Sequence, residues 1–107
     1  MSDKDNKLQE MQMAEQGLQN LLMQKQAFQM ELSETTTALK EISDSGEEVY
    51  KIVGQLMIKT DKKKMQDELQ NKEKLLDLRL KTIEKQETTL TEQLEKVREE
   101  VMKGMKK

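Results

Sequence analysis

The sequence has no cysteine, histidine, proline or tryptophan, and only one phenylalanine and one tyrosine among its 107 residues. Without cysteine the chain can form no disulfide and no thiolate metal site. Histidine, the most frequent general base, and the cysteine nucleophile are therefore missing, and so is a glycine-rich phosphate loop. Carboxylates are abundant, but they fall on faces of predicted helices that water can reach. We expect no enzyme activity and no cofactor.

Long apolar runs and an excess of one charge are also lacking. The net charge is −2, so no overall field attracts nucleic acid or a membrane surface. No run approaches the roughly 18 apolar residues of a membrane span, and the opening MSDKDNKLQE lacks the apolar core of a signal peptide. We expect a soluble cytoplasmic protein with neither nucleic acid nor membrane as a partner.

Charged residues make up 37% of the chain and hydrophobic residues 34%, which suits long helices that share a narrow apolar seam. Disorder is the alternative for so polar a chain, but the apolar residues are periodic. Two segments, about 5–44 and about 61–104, repeat them at alternating steps of three and four, which predicts heptad helices. The seam positions are Met11, Ala14, Leu18, Leu21, Lys25, Phe28, Leu32, Thr35, Leu39 and Ile42, then Leu69, Glu73, Leu76, Leu80, Ile83, Glu87, Leu90, Leu94, Val97 and Val101.

The two seams match in length, which predicts an antiparallel helix pair. Pairing residues whose numbers add to 108 layers Met11 with Val97 and centres the fold on Gly54. Registers shifted by seven residues fit the seams almost as well, but their midpoints miss this glycine. The polar seam residues Lys25 and Glu87 fall within one layer of each other and could pair, although the simpler expectation is that both extend to solvent.

Residues 49–60 alternate apolar and mixed side chains, which predicts a β-hairpin. A three-residue turn centred on Gly54 would place Tyr50 opposite Ile58 and put the even-numbered side chains on one apolar face. A lone hairpin with such a face is unstable in water, and a plain helix connection would not need this length. The hairpin is therefore predicted to join subunits. Its predicted assembly residues are Tyr50, Ile52, Gly54, Leu56 and Ile58.

The flanks of the hairpin carry signals for the helix ends. SDSGEE at 43–48 predicts the end of the first helix, with Gly46 as its C-cap. Thr60 or Asp61 is expected to cap the second helix. The run Lys62–Lys64 opposes the helix dipole, and we expect it to be a solvated charge run.

Three stretches resemble a known family. VYKIVG and LMIK, at 49–54 and 56–59, resemble the hairpin of prefoldin subunits of the β class. ETTTALKEI at 34–42 resembles the end of their first helix, and LDLRLKTIEKQE at 76–87 the middle of their second. A single hairpin argues against the α class, whose subunits have two. The short, Lys/Glu-rich form is most similar to archaeal members.

The resemblance implies a mostly α fold in a single domain of residues 1–107: a long antiparallel two-helix coiled coil with one β-hairpin at the turn end. It implies a hexamer of two α-type and four β-type subunits, whose hairpins build a β-barrel platform. Such a hexamer is an ATP-independent chaperone that holds non-native polypeptides at the coil tips and passes them to a group II chaperonin. In the family, basic tips of β-type subunits are implicated in docking on the chaperonin, which would assign Lys103, Lys106 and Lys107. A solubilising tail is the alternative for these lysines.

The two ends of the chain support the same function independently. An antiparallel pair brings both termini together away from the hairpin, and five of the nine methionines fall there. Methionine adapts to irregular apolar partners, although methionines could also simply decorate frayed helix ends. The predicted client-binding residues are Leu8, Met11, Met13, Val101, Met102 and Met105. A structural coiled-coil scaffold is the rival function, but it would need neither the hairpin nor the methionines.

Overall fold

The computed structural model describes residues 3–105, with side chains from 5 to 104. Along the chain come helix α1 (Asp3–Asp44), strand β1 (Val49–Val53), strand β2 (Leu56–Thr60) and helix α2 (Lys62–Met105). The predicted architecture of two long helices around one antiparallel hairpin is confirmed. No proline breaks either helix, and they reach 42 and 44 residues.

The chain forms two compact units. One combines Met1–Ala27 with Leu80–Lys107, and we call it the terminal unit because it includes both chain ends. The other is Phe28–Arg79, and we call it the hairpin unit. That the whole chain is a single domain stays a prediction.

The helices pack along the predicted seam in each unit. All twenty predicted seam positions are buried or half-buried. Thr35 is among the buried ones, and its hydroxyl donates to the backbone carbonyl of Glu31 at 2.8 Å, so the polar group is satisfied within α1. The buried apolar seam residues are Ala14, Leu76, Leu80, Ile83, Leu94 and Val101. A narrow stripe of this kind is what a two-helix coil can enclose.

Polar contacts between the helices fix the antiparallel register. In the terminal unit, Lys25 Nζ lies 3.1 Å from Glu87 Oε1. In the hairpin unit, the Thr36 hydroxyl donates to Glu73 Oε2 at 3.2 Å. Sliding one helix by seven residues would separate these partners by about 10 Å, so the register centred on a sum of 108 is confirmed. The expectation that Lys25 and Glu87 extend separately to solvent is wrong, because the two charges meet.

Helix α1 ends without the predicted glycine cap. Gly54 is the one described residue with a positive φ, so Gly46 does not adopt the left-handed conformation of a C-cap glycine, and that prediction is wrong. Ser45 closes the helix instead. Its N–H and its hydroxyl both donate to the carbonyl of Ile42, at 3.2 and 2.8 Å.

Helix α2 begins at a cap supplied by Asp61, one of the two predicted candidates. The Asp61 carboxylate accepts a hydrogen bond from the N–H of Lys64 at 3.3 Å. The prediction that the lysine run is simply solvated is wrong for Lys62, because its ammonium donates to the carbonyl of Ser45 at 2.8 Å. This bond ties the start of α2 to the end of α1.

The hairpin turn is shorter than predicted. Two residues, Gly54 and Gln55, join the strands. Gly54 has φ of +61°, whereas no described residue other than glycine has a positive φ. A left-handed conformation at the first central residue alone is the mark of a type II′ turn, whose twist suits antiparallel strands.

The strand register follows from this turn and corrects the predicted pairing. Tyr50 pairs with Lys59, not with Ile58. The other pairs are Val49–Thr60, Lys51–Ile58, Ile52–Met57 and Val53–Leu56. Moving the register by one residue turns every side chain of one strand to the opposite face. The prediction that Tyr50, Ile52, Leu56 and Ile58 share one face is therefore wrong.

Candidate functional site

The hairpin exposes apolar side chains on both of its faces. The Tyr50 face consists of Tyr50, Ile52, Met57 and Lys59, and the Val49 face of Val49, Lys51, Val53, Leu56, Ile58 and Thr60. Ile52 and Met57 are 72% and 69% exposed on the first face, and Leu56 is 66% exposed on the second. Soluble monomers rarely expose apolar side chains so close together. Both faces therefore have the character of surfaces that a partner covers.

Only the root of the Val49 face is covered by the same chain. Val49 is buried and Thr60 is half-buried. Lys51 reaches Glu68 of α2, with 3.9 Å between the ammonium and the carboxylate. A groove of about 450 Å³ lies beside this root. Its apolar lining includes Ile42, Val49, Met65 and Leu69. The hairpin is thus anchored at its base and open toward its turn.

The predicted client-binding residues differ in accessibility. Val101 is buried within the seam, and Leu8 and Met11 are half-buried. Met13 and Met102 are 69% and 54% exposed. The side chain of Met105 lies outside the described residues. Met13 and Met102 are therefore the members of the described set that offer most surface to a partner.

A groove of about 600 Å³ runs beside Met13 in the terminal unit. At the side of this groove Gly17 allows Leu90 to pack close against α1, because a Cβ at position 17 would lie 2.9 Å from Leu90 Cδ2. The groove is lined by Glu10, Met13, Ala14, Gly17, Leu90, Gln93, Lys96, Val97 and Glu100. Its floor is apolar, and its rim carries both acidic and basic side chains.

One acidic side chain of that rim, Glu100, is paired with a lysine. Lys7 Nζ lies 2.9 Å from Glu100 Oε2. The hydrogen bond and the charge of Lys7 lower the pKa of Glu100, with smaller contributions from Lys96 and Lys103. Glu100 consequently stays charged at pH values where an isolated glutamate begins to protonate.

The described residues offer these surfaces no metal chemistry. Among the side chains described from 5 to 104, no group of three or more acidic, histidine or cysteine residues is placed to hold a metal ion. Over the same range, no helix has both the length and the apolar content needed to cross a bilayer. The exposed apolar side chains of the hairpin, together with Met13 and Met102, suit binding through apolar contacts.

The sequence match that decides the family covers almost the whole chain. The family model described as "Prefoldin subunit" matches residues 5–107. The chain belongs to the prefoldin family. Prefoldins are chaperones rather than enzymes, and their subunits assemble with other prefoldin subunits.

Individual prefoldins confirm the resemblance to the β class. The prefoldin subunit beta of Thermococcus onnurineus is 39% identical over 94 residues, covering 86% of this chain and 81% of the relative. That of Sulfurisphaera tokodaii is 41% identical over 93 residues, covering 85% and 74%. The crystal structure of the prefoldin beta subunit from Thermococcus strain KS-1 matches with a TM-score of 0.87 at 35% identity, over 97% of this chain and 93% of that one.

The lysines predicted to dock on a chaperonin are only partly described. Lys103 is exposed in the last turn of α2. Lys106 and Lys107 lie outside the described residues. The docking role of all three stays a prediction.

Sequence reasoning missed several exposed apolar residues. On the hairpin these are Val53 and Met57, which the wrong register assigned to a mixed face. The dipeptide Gly54-Gln55 between two β-branched runs was the available signal, because glycine at the first central position favours a two-residue II′ turn. On the helices, the exposed apolar residues outside the seam include Leu22, Met23, Met30, Leu75 and Leu78.

Proposed function

We propose that this prefoldin chain is a β-type subunit of a cytoplasmic, ATP-independent holding chaperone. Four copies would combine with two α-type subunits in a hexamer whose hairpins form a β-barrel platform. The hexamer binds non-native polypeptides through the terminal units and passes them to a group II chaperonin. The observation that carries this proposal is the hairpin with apolar side chains exposed on both faces.

The energetics of the hairpin favour assembly. Six large apolar side chains are exposed on the ten strand residues: Tyr50, Ile52, Val53, Leu56, Met57 and Ile58. Burying one such side chain contributes about 1.5–3 kcal/mol. Both edges of the two-stranded sheet are also open to pairing with further strands. Neighbouring hairpins would satisfy the faces and the edges together, as closure into a barrel requires.

The terminal unit supports the holding of clients. Met13 and Met102 expose most of their side chains, and methionine accommodates partners of irregular shape. Such contacts need no nucleotide, in keeping with the lack of a glycine-rich phosphate loop in the sequence. Lys103, with Lys106 and Lys107 beyond it, supplies the positive charge proposed to dock on the chaperonin.

The first experiment tests holding. The chain is mixed with an α-type prefoldin subunit, and native mass spectrometry verifies the hexamer. A chemically unfolded enzyme is then diluted into the mixture without ATP, and light scattering follows its aggregation. We expect scattering to be suppressed at near-stoichiometric hexamer. A well-formed hexamer that leaves scattering unchanged would support the rival function, a structural scaffold.

A second experiment tests transfer. A group II chaperonin and ATP are added to the held enzyme, and recovered enzyme activity is measured. Changing Lys103, Lys106 and Lys107 to Gln should slow the recovery while holding remains normal. The control is Lys81→Gln with Lys85→Gln, which removes exposed lysines from the middle of α2. Equal recovery rates for both variants would contradict a docking role for the C-terminal lysines.

A further inference from the structure

Between Gln9 and Ala27, within the terminal unit, the outward face of α1 carries no charge. In the heptad register, positions b, c and f point away from α2. From Gln9 to Ala27 these nine positions are Gln9, Gln12, Met13, Gln16, Gln19, Asn20, Met23, Gln26 and Ala27, and all of them are exposed. At 1.5 Å per residue they form a strip about 27 Å long. We call it the neutral strip.

The other helix of the same unit has a different outward face. From Lys81 to Lys103 it carries Lys81, Lys85, Glu92, Glu95, Lys96, Glu99 and Lys103. The charges of α1 in this region lie off the neutral strip and are directed toward α2. Glu15 pairs with Arg98 at 3.5 Å, and Lys25 pairs with Glu87. In a chain with 37% charged residues, the absence of charge is thus confined to one face.

The chemistry of the neutral strip suits contact with a polypeptide. Met13 and Met23 are 69% and 68% exposed, and Leu22 beside them is 48% exposed. The amides of glutamine and asparagine both donate and accept hydrogen bonds, so they can pair with the backbone groups of an unfolded chain. Removing an amide from water costs far less than removing a charge, and lysine and glutamate are depleted where proteins bind each other.

The spacing of the apolar residues disfavours a regular partner. A helix packing lengthwise needs apolar side chains at steps of three, four and seven. Met13 and Met23 are ten residues apart, and Gln16, Gln19 and Asn20 separate them. Between Gln9 and Ala27 a second copy of this coil therefore finds no continuous apolar ridge to pack against. Nucleic acid finds no basic group on the neutral strip. An irregular, extended partner needs neither feature.

We infer that the neutral strip is a second client surface, which binds an extended segment of non-native polypeptide whatever the charge of that polypeptide. At about 3.3 Å per residue, the strip has room for roughly eight extended residues. The inference rests on the proposed holding function. It extends the client-binding surface from the methionines near the chain ends to the outward side of α1.

Photo-crosslinking locates the client. Asn20 of the neutral strip is replaced by p-benzoylphenylalanine, and in a control chain Glu92 of the outward α2 face is replaced in the same way. Each chain is assembled with the α-type subunit and irradiated with permanently unfolded α-lactalbumin, reduced and carboxamidomethylated, or with lysozyme treated alike. We expect adducts with both the acidic and the basic client at position 20, and few at position 92.

The other outcomes are distinct. A wild-type hexamer that holds neither client overturns the proposed function and the inference together. Holding without adducts at position 20 overturns the inference alone. Adducts at position 20 that join two copies of this chain would assign the neutral strip to self-association and also overturn the inference.

Charge variants test the energetics. Gln16→Glu with Met23→Glu, and separately Gln16→Lys with Met23→Lys, should both weaken the binding of either client about five-fold, which corresponds to ~1 kcal/mol. The control, Lys81→Gln with Lys85→Gln, matches the first variant in net charge change and should bind normally. Opposite effects of the acidic and the basic variant would overturn the inference, because they would show that charge attraction governs binding. Native mass must remain that of the hexamer throughout.

Discussion

At the scale of single residues, the Lys25–Glu87 pair occupies two seam positions that normally hold apolar side chains. Each side chain is 25% exposed, and the charged atoms are 3.1 Å apart. Removing one partner leaves the other charge partly desolvated, which is costly, whereas replacing both by leucine makes both neighbouring layers apolar. The pair therefore contributes to the choice of register more than to stability.

This leads to a prediction for urea denaturation. Lys25→Ala and Glu87→Ala should each destabilise the assembly by about 1 kcal/mol, and the double leucine variant should match or exceed the wild type. Arg98→Ala serves as the control, because its pair with Glu15 is about half exposed and exposed pairs contribute little. A double leucine variant clearly less stable than the wild type would show that the ion pair itself stabilises the coil.

The Lys7–Glu100 pair gives a prediction about pH. Lys7 lowers the pKa of Glu100, so the contribution of this pair to stability is present above the ordinary pKa of glutamate and is lost as pH falls through the lowered value. Lys7→Met should return the pKa of Glu100 toward its ordinary value, as measured by NMR titration of the carboxyl carbon. High salt should weaken the wild-type shift, because the pair is exposed. A pKa of Glu100 that is identical in both proteins would contradict this assignment.

At the scale of elements, the hairpin is the element whose exposed apolar side chains most need to be covered by a partner. The Tyr50 face and the Val49 face are both apolar toward the turn, and one contact surface cannot cover both. Ile52→Asp on the first face and Leu56→Asp on the second should each, alone, dissolve the hexamer, because either change buries an unpaired carboxylate at an interface. Native mass spectrometry measures whether each variant still forms the hexamer. Lys59→Gln, on the polar end of the Tyr50 face, is the control and should assemble. If one of the two Asp variants assembled normally, its face would not be covered.

The hairpin also shows what the sequence could and could not predict. Its existence and its position in the chain were predictable, because the alternation of apolar and mixed side chains over 49–60 indicates strands whatever the register between them. The facing of its side chains was not, because it depends on whether two or three residues form the turn, and both choices suit Gly54. The helix seam was predictable throughout, since heptad periodicity survives two polar interruptions in each helix. Whether those polar residues meet depends on distances of a few ångströms, which periodicity does not contain.

The exposure of the predicted client-binding residues was harder to predict than the fold. Composition drew attention to methionines near the ends, but it could not separate Met13, which is exposed, from Met11, which the seam half-covers. Val101 was chosen for its position near the end of the chain, yet the same heptad pattern buries it against α1. A residue cannot serve fully both in the seam and at the surface, and the register decides between the two.

At the scale of the whole molecule, assembly and holding are assigned to different residues, which predicts that they separate. Removing about a dozen residues from each end should leave the hexamer intact, because the hairpin unit keeps its sequence. Client holding should fall, because Met13 loses the neighbouring turn and Met102 is removed. Native mass and suppression of light scattering provide the two readouts. If both properties were lost together, the proposed division between the units would be wrong.

The two-residue turn between β1 and β2 fixes which face of the hairpin each side chain of β2 occupies. If the two-residue turn were kept and one residue were inserted directly before Leu56, that residue would pair with Val53, and every side chain of β2 would move to the opposite face. A second inserted residue would restore the original facing. The effect of such insertions therefore does not grow steadily with their length. Odd numbers of inserted residues invert the faces of β2, and even numbers preserve them. Two chains that differed only by one such inserted residue would therefore present opposite faces of β2 to the same partner.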